Sequence, residues 1–142
     1  SIYDGEKDTV LLSEELTYLK NYIALHKMRY HKTIDIQFHK DIKDNDYKIH
    51  PLLFIILLEN AFKHGVENLR EHASVLINLK VHNNIVNFEI ENNFEANEEN
   101  HEAGIGLKNL KRRLELVYPK NHELTISKTD AIYNAKLKIK IV

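Results

Sequence analysis

Glu59 and Asn60 stand side by side in the sequence, with Lys63 and His64 one helical turn later and Glu67 a turn beyond. At about 100° per residue, Ile56, Glu59, Asn60, Lys63 and Glu67 share one narrow helical stripe. Leu53, Phe54, Ile55, Leu57, Leu58, Ala61 and Phe62 cover the rest of that helix. A carboxylate, a carboxamide oxygen and an ammonium on one stripe of an otherwise apolar helix could line a cleft that holds a charged ligand. The same stripe could equally face bulk water, and His64 could act as a helix C-terminal cation. A second group, Gly104-Ile105-Gly106-Leu107-Lys108-Asn109, joins a polar stretch to the start of another helix. Glycines there let backbone approach a ligand closely, and the free N–H groups of a first helical turn attract anions. A plain turn followed by a cap would use the same two glycines.

These groups need elements to hold them. After a polar start over 1–8, Ser13 is expected to cap a helix, with Glu14 and Glu15 against its positive end. Leu12, Leu16, Leu19, Ile23 and His26 recur at helical spacing and Tyr18, Tyr22 and Tyr30 flank them. This stripe fits packing on the helix's own domain, and it fits equally a dimer-forming or signal-relaying helix. From Thr33 the period changes to two, with Ile34, Ile36 and Phe38 alternating against Asp35, Gln37 and His39, which predicts a strand and then a loop over 41–46. Pro51 is expected to open the central apolar helix. Val75, Ile77, Leu79 and Val81, then Asn83-Asn84, then Val86, Phe88 and Ile90 predict a β-hairpin. The polar, acidic stretch 92–103 reads as a mobile loop. A third helix carries Leu107, Leu110, Leu114 and Val117 up to Pro119, and two strands follow, with Leu124 and Ile126, then Ala135, Leu137, Ile139 and Ile141. The fold class is therefore α+β, a two-layer α/β sandwich with a mostly antiparallel sheet and helices on one face. Residues 1–31 form an N-terminal linker helix and 32–142 the domain proper.

Composition narrows the choice of function. The chain has 142 residues, 43% of them hydrophobic, enough for one core. Twenty Lys and Arg against 21 Asp and Glu give a net charge of -1, which provides no broad field for nucleic acid or anionic lipid. Cysteine is absent, so disulfides and thiolate metal sites are excluded, and the nine histidines lack the tight spacing of a zinc site. The run Leu52–Leu58 is far short of the ~20 residues of a membrane span. A cytoplasmic address follows as the expectation, without nucleic acid or direct membrane contact.

Pro51-Leu52-Leu53-Phe54 with Glu59-Asn60-Ala61-Phe62-Lys63-His64-Gly65 resembles the N-box of bacterial sensor histidine kinases. Gly104 to Asn109, followed by Lys111-Arg112-Arg113-Leu114-Glu115-Leu116-Val117-Tyr118-Pro119, resembles their second glycine box and its helix. The branch resembled is the LytS/YehU-like one, whose response regulators often carry LytTR-type DNA-binding domains. Leu12-Ser13-Glu14-Glu15-Leu16 through Lys27-Met28-Arg29-Tyr30 is similar to the helix preceding the ATP-binding domain in that branch. The resemblance implies the Bergerat-type sandwich shared with gyrase-like ATPases and Hsp90-like chaperones, with ATP and Mg²⁺ as cofactors. It implies that Asn60 binds the Mg²⁺ and that Lys63 and His64 approach the phosphates. Gly104, Ile105, Gly106 and Leu107 would cradle them through backbone, with contacts from Lys108 and Asn109. It makes 92–103 the ATP lid and offers Glu59 as proton acceptor or orienting group. The implied partners are a phosphoacceptor histidine on an upstream dimerisation segment, a response regulator and a second copy in a full-length sensor of the inner membrane.

Two departures stand out. The family's adenine-reading Asp is Asn92 here, and the glycine two places on is Phe94. Trading a charged acceptor for a neutral one loses on the order of 1 kcal/mol, about tenfold in affinity. Ile56 stands where hydrolytic relatives carry a catalytic Glu, so intrinsic ATP hydrolysis is expected to be poor. No histidine has the setting of the branch's phosphoacceptor, so this chain alone is not expected to autophosphorylate. The alternative is a degenerate, non-catalytic kinase-like module that acts through dimerisation or partner binding.

Overall fold

The computed structural model describes residues 8–43, 47–96 and 104–141. Its elements in chain order are β1 (Val10–Leu11), α1 (Leu12–Arg29), β2 (Ile34–Asp41), β3 (Lys48–Ile49) and α2 (Phe54–Ala61), which runs into a π-helical turn (Phe62–Val66). There follow β4 (Ala73–His82), β5 (Ile85–Asn93), α3 (Ile105–Val117), β6 (His122–Lys128) and β7 (Ile132–Lys140). Five strands form one sheet in the order β2-β4-β5-β7-β6. β2 runs parallel to β4 and the other neighbours are antiparallel. The expected α/β sandwich is thus present, preceded by its N-terminal helix. The short β1–β3 ribbon is an addition, since two-residue strands leave no period to read.

The β4–β5 hairpin turns at Asn83 and Asn84, whose φ of 51° and 62° are the paired left-handed conformations that suit a two-residue hairpin loop. Alternation then sends Val75, Ile77, Leu79 and Val81 of β4, Val86, Phe88, Ile90 and Asn92 of β5, and Ala135, Leu137 and Ile139 of β7 to one buried face. α2 lies on that face, where Phe54 stacks on Phe88 with centroids 4.5 Å apart. α3 adds Leu107, Leu110 and Leu114, and α1 adds Leu12, Leu16 and Leu19, so the N-terminal helix shares the same core. Further along, Tyr22 and Ile23 of α1 pack against it while Tyr18, Leu25 and Met28 stay exposed. The sheet's other face is polar. There Asn134 Nδ2 donates to Glu89 Oε2 at 2.9 Å and Glu91 Oε1 at 3.2 Å, and Lys136 Nζ lies 3.7 Å from Glu89.

Two helix starts differ from expectation. Ser13 lies inside α1 instead of capping it. The β1–β3 pairing draws Leu11 into an extended conformation, Leu12 N–H donates to the Tyr47 carbonyl at 2.8 Å, and the Leu11 N–H reaches Glu14 Oε1 at 3.4 Å. Pro51 also falls outside its helix. Leu52 takes φ 66°, which breaks helical continuity after the proline and delays α2 to Phe54.

Candidate functional site

The predicted site residues of α2 divide between its two flanks. Asn60 is half-buried, and its side chain acts on the hydroxyl of Tyr133 on β7. Burial raises the Tyr133 hydroxyl's pKa, and Asn60 partly counters that. Tyr133 is the register partner of Asn92 on β5, so Asn60, Tyr133 and Asn92 meet at one end of the sheet. Glu59 is exposed and turns the other way, toward α1, where its charge acts on Tyr22 and His26. Burial, then Glu59, push the Tyr22 hydroxyl to about 12. Tyr22 stacks on His26 at 3.9 Å, and both rings meet Phe62 edge-on. Desolvation lowers the His26 pKa, and its Nδ1 is buried with no hydrogen-bond partner.

α2 does not end at Ala61. The next turn widens to π geometry, with Glu67 N–H donating to the Phe62 carbonyl at 2.8 Å. Such single-turn widenings recur at functional sites. The turn puts Lys63 and His64 on a cleft of about 350 Å³ that Glu67 and Asn68 complete. Lys32, from the α1–β2 connection, donates its ammonium to the Val66 and Leu69 carbonyls and holds the far end of the turn. Gly65 in its centre is buried against β5. A Cβ there would stand 2.4 Å from Asn92 Nδ2 and 2.6 Å from the Asn93 carbonyl oxygen, so no other residue fits.

Asn92 is 1% exposed. Its Nδ2 donates to the Asn93 carbonyl at 3.0 Å, which fixes the amide, and its Oδ1 is buried without a hydrogen-bond partner. A buried acceptor left unpaired costs about 1–3 kcal/mol. Asn93 beside it is fully used: its Oδ1 accepts from Ser74 N–H at 2.8 Å and its Nδ2 donates to the His72 carbonyl at 2.7 Å. Phe94 N–H donates to the Ala131 carbonyl at 3.0 Å, and Lys128 lies 5.0 Å from its ring centroid.

The second glycine group stands at the start of α3, where Gly106 lies near Ile56 of α2. Gly104 precedes α3 in extended conformation, and Leu107 is buried as a core anchor. Gly106, Lys108 and Asn109 are exposed, and Ile105 is 76% exposed. A Cβ on Gly106 would meet Ile56 Cγ2 at 3.6 Å, an ordinary contact, and one on Gly104 would meet only the Gly106 nitrogen at 3.9 Å. Protein packing demands neither glycine. Of the expected lid, 92–96 are described and 97–103 lie outside the described residues.

Tyr133 is a site residue that the sequence reading passed over, although it continues the inward row of Ala135, Leu137 and Ile139 by one step. The π-turn and the Lys32 anchor have no local signature. Among the described residues no cluster of His, Asp or Glu could hold a metal ion by itself. One amide oxygen from Asn60 nonetheless suits Mg²⁺, which keeps most of its shell as water and phosphate oxygen. The unpaired Asn92 acceptor likewise suits an exocyclic amino group.

No family model matches the chain. The catalytic domain of histidine kinase ThkA superposes with a TM-score of 0.63 at 13% identity, covering 93% of this chain and 94% of that one. The fold is that of a histidine kinase catalytic domain. The same kinase-type fold is found in the Acinetobacter baumannii histidine kinase AdeS, with a TM-score of 0.62, 12% identity and coverage of 93% and 66%. ThkA in complex with its response regulator protein TrrA gives 0.63 at 15% identity, covering 94% and 41%. In sequence, the chain is 30% identical over 71 residues to the sensor histidine kinase/phosphatase LytS of Staphylococcus aureus strain N315, half of this chain. It is 24% identical over 89 residues to the sensor protein LytS of Staphylococcus epidermidis RP62A, 63% of this chain. It spans 12–15% of the length of these curated relatives. No helix among the described residues is long and apolar enough to cross a membrane.

Proposed function

We propose that this chain is the ATP-binding catalytic domain of a two-component sensor histidine kinase, which transfers the γ-phosphoryl group of ATP to a histidine on a dimerisation segment upstream of it. The observation that carries the reading is Asn92: its acceptor oxygen is unpaired and buried, on the wall that Asn60 and Tyr133 share. An adenine amino group supplies the donor that this oxygen lacks. Asn60 would hold Mg²⁺, which neutralises phosphate charge when bound. Lys63 and His64 would meet the phosphates, and Gly104 to Asn109 would offer them N–H groups and, from Lys108, an ammonium. Catalysis in such a site is positioning and charge neutralisation. Glu59, beside Tyr22 and His26, suits orientation of the α1 face better than proton transfer at Asn60. Ile56 lies against Gly106 with no base to offer, so water is not activated.

The likeness to a kinase solved with its response regulator supports a response regulator as downstream partner, and the resemblance to LytS-type sensors supports one of LytTR type. A homodimer and a cytoplasmic position beneath an inner-membrane sensor belong to the same reading.

Calorimetric titration with a non-hydrolysable ATP analogue tests it. Binding at micromolar to sub-millimolar strength, about -5 to -8 kcal/mol, that needs Mg²⁺ and falls on Asn60→Ala is the expected result. Robust Mg²⁺-dependent phosphate release by the chain alone would overturn the kinase reading in favour of a stand-alone ATPase. A second reading, a non-catalytic kinase-like module working by dimerisation or partner contact, is favoured by Phe94, whose ring replaces a glycine in the first glycine box. Silence at millimolar analogue selects it.

A further inference from the structure

α2 carries Asn60, yet it starts without a capping side chain and without an acidic residue in its first turn. What holds its start lies in other elements. Leu52 N–H, two residues before the helix, donates to both carboxylate oxygens of Glu15 on α1, at 3.2 and 3.3 Å. Leu52 takes φ 66°, a conformation that a leucine adopts only when its surroundings impose it. One residue earlier, the Pro51 carbonyl accepts from Arg113 Nη2 of α3 at 2.9 Å. His50 N–H donates to the Tyr118 hydroxyl at the end of α3 at 2.9 Å. The corner over 50–52 is therefore gripped by α1 on one side and α3 on the other. α3 also presents Gly104 and Gly106, so the helix that carries Asn60 and the helix that carries the second glycine group meet α1 at this corner.

Glu15 is 4% exposed, and burial raises its carboxyl pKa above 4.5 despite the Leu52 bond and the Arg113 charge. A buried carboxylate is poorly suited to stability for its own sake, since an apolar side chain of similar size often does as well. Its value lies in geometry.

We propose that Glu15 is a positioning residue for the nucleotide cleft: by holding the Pro51–Leu52 corner from α1 while Arg113 holds it from α3, it sets where α2 begins and so where Asn60 stands relative to the α3 glycines. The inference rests on the nucleotide reading above. It makes α1 a lever on the site, because displacement of its first turns moves the corner.

The test titrates the 142-residue chain with the imido analogue of ATP and Mg²⁺ and follows thermal midpoints alongside. Glu15→Ala is expected to weaken binding about tenfold, within the usual range of coupling between sites. Glu15→Gln, which keeps an acceptor for the Leu52 N–H, should stay within about threefold of wild type. Arg113→Met should fall on the Glu15→Ala side. A core control, Ile77→Val or Leu79→Ala, whichever matches the midpoint loss of Glu15→Ala, should leave affinity unchanged. Equal loss in the matched control, or none in Glu15→Ala, overturns the proposal; if Glu15→Ala does not fold, Glu15→Gln and Arg113→Met decide it. A wild-type chain that binds no analogue overturns the kinase reading instead. Hydrogen exchange over 52–58 then judges the corner, with faster exchange in Arg113→Met than in the matched control supporting it and equal exchange overturning it.

Discussion

The two walls of the proposed nucleotide cleft are built in opposite ways. On the β5 side Gly65 is wedged against Asn92 and the Asn93 carbonyl, and a methyl group there has no room. On the α3 side Gly104 and Gly106 have room for a methyl group and no neighbour that forbids one. The first glycine is a demand of the fold, whereas the other two are glycines for which the protein itself gives no reason. A residue that packing does not require, beside an exposed first helical turn, is what an external ligand accounts for best.

Gly65→Ala should therefore cost the most, about 2–3 kcal/mol of stability from overpacking, read as a drop in melting temperature with nucleotide binding lost alongside. Should Gly65→Ala melt like wild type, the wedge is not as tight as its distances state. Asn92→Ala separates binding from folding on the same wall. It removes an unpaired buried acceptor, which offsets the loss of the Nδ2 bond to Asn93, so the midpoint should move little while analogue affinity falls about tenfold. Gly106→Ala sharpens the contrast from the other wall, because alanine favours helix over glycine by about 0.8–1 kcal/mol. The midpoint should hold or rise, and affinity should fall several-fold. If Gly106→Ala binds as wild type does, the phosphates do not approach α3.

The smallest effect concerns the α1 side of α2. The His26 pKa lies below its ordinary 6.5 because the ring is desolvated, with Arg29 acting in the same direction and Glu59 and Glu67 opposing. The unfolded chain therefore takes up the proton first, and stability present above pH 6.5 is lost as pH falls through the folded value. His26→Phe should remove this part of the acid sensitivity, seen as a flatter plot of midpoint against pH between 7 and 5.

Much of this was legible from residue order. Alternation in 75–90 and the Asn83-Asn84 pair identify the central hairpin, because a period of two and a turn tolerant of positive φ are both local properties. The grouping of Asn60, Lys63 and His64 with Gly104 to Asn109 was likewise legible, through resemblance as much as periodicity. What stayed hidden depends on partners distant in sequence. Ser13 has the chemistry of a cap, but the β1–β3 ribbon decides where α1 begins. Pro51 has the chemistry of a first helical residue, but the Glu15 and Arg113 contacts accompany a left-handed Leu52 that postpones the helix. The π-turn sets Gly65 against β5, a contact between segments distant in sequence, and Tyr133 enters the site only because its strand pairs with that of Asn92.

The parallel pairing of β2 with β4 carries a consequence for the order in which the chain folds. The β4–β5 hairpin closes across two residues, and β6 pairs with β7 across a short turn. Ile34 meets Ala73 only after the whole of α2 has been laid down between them. Contacts that close long loops form late, so the β4–β5 and β6–β7 hairpins form first, and the β2–β4 and β5–β7 pairings, which close loops of similar length, join them later. β2 is paired on one side only, so in a hydrogen-exchange time course its amides lose protection before those of the inner strands β4, β5 and β7.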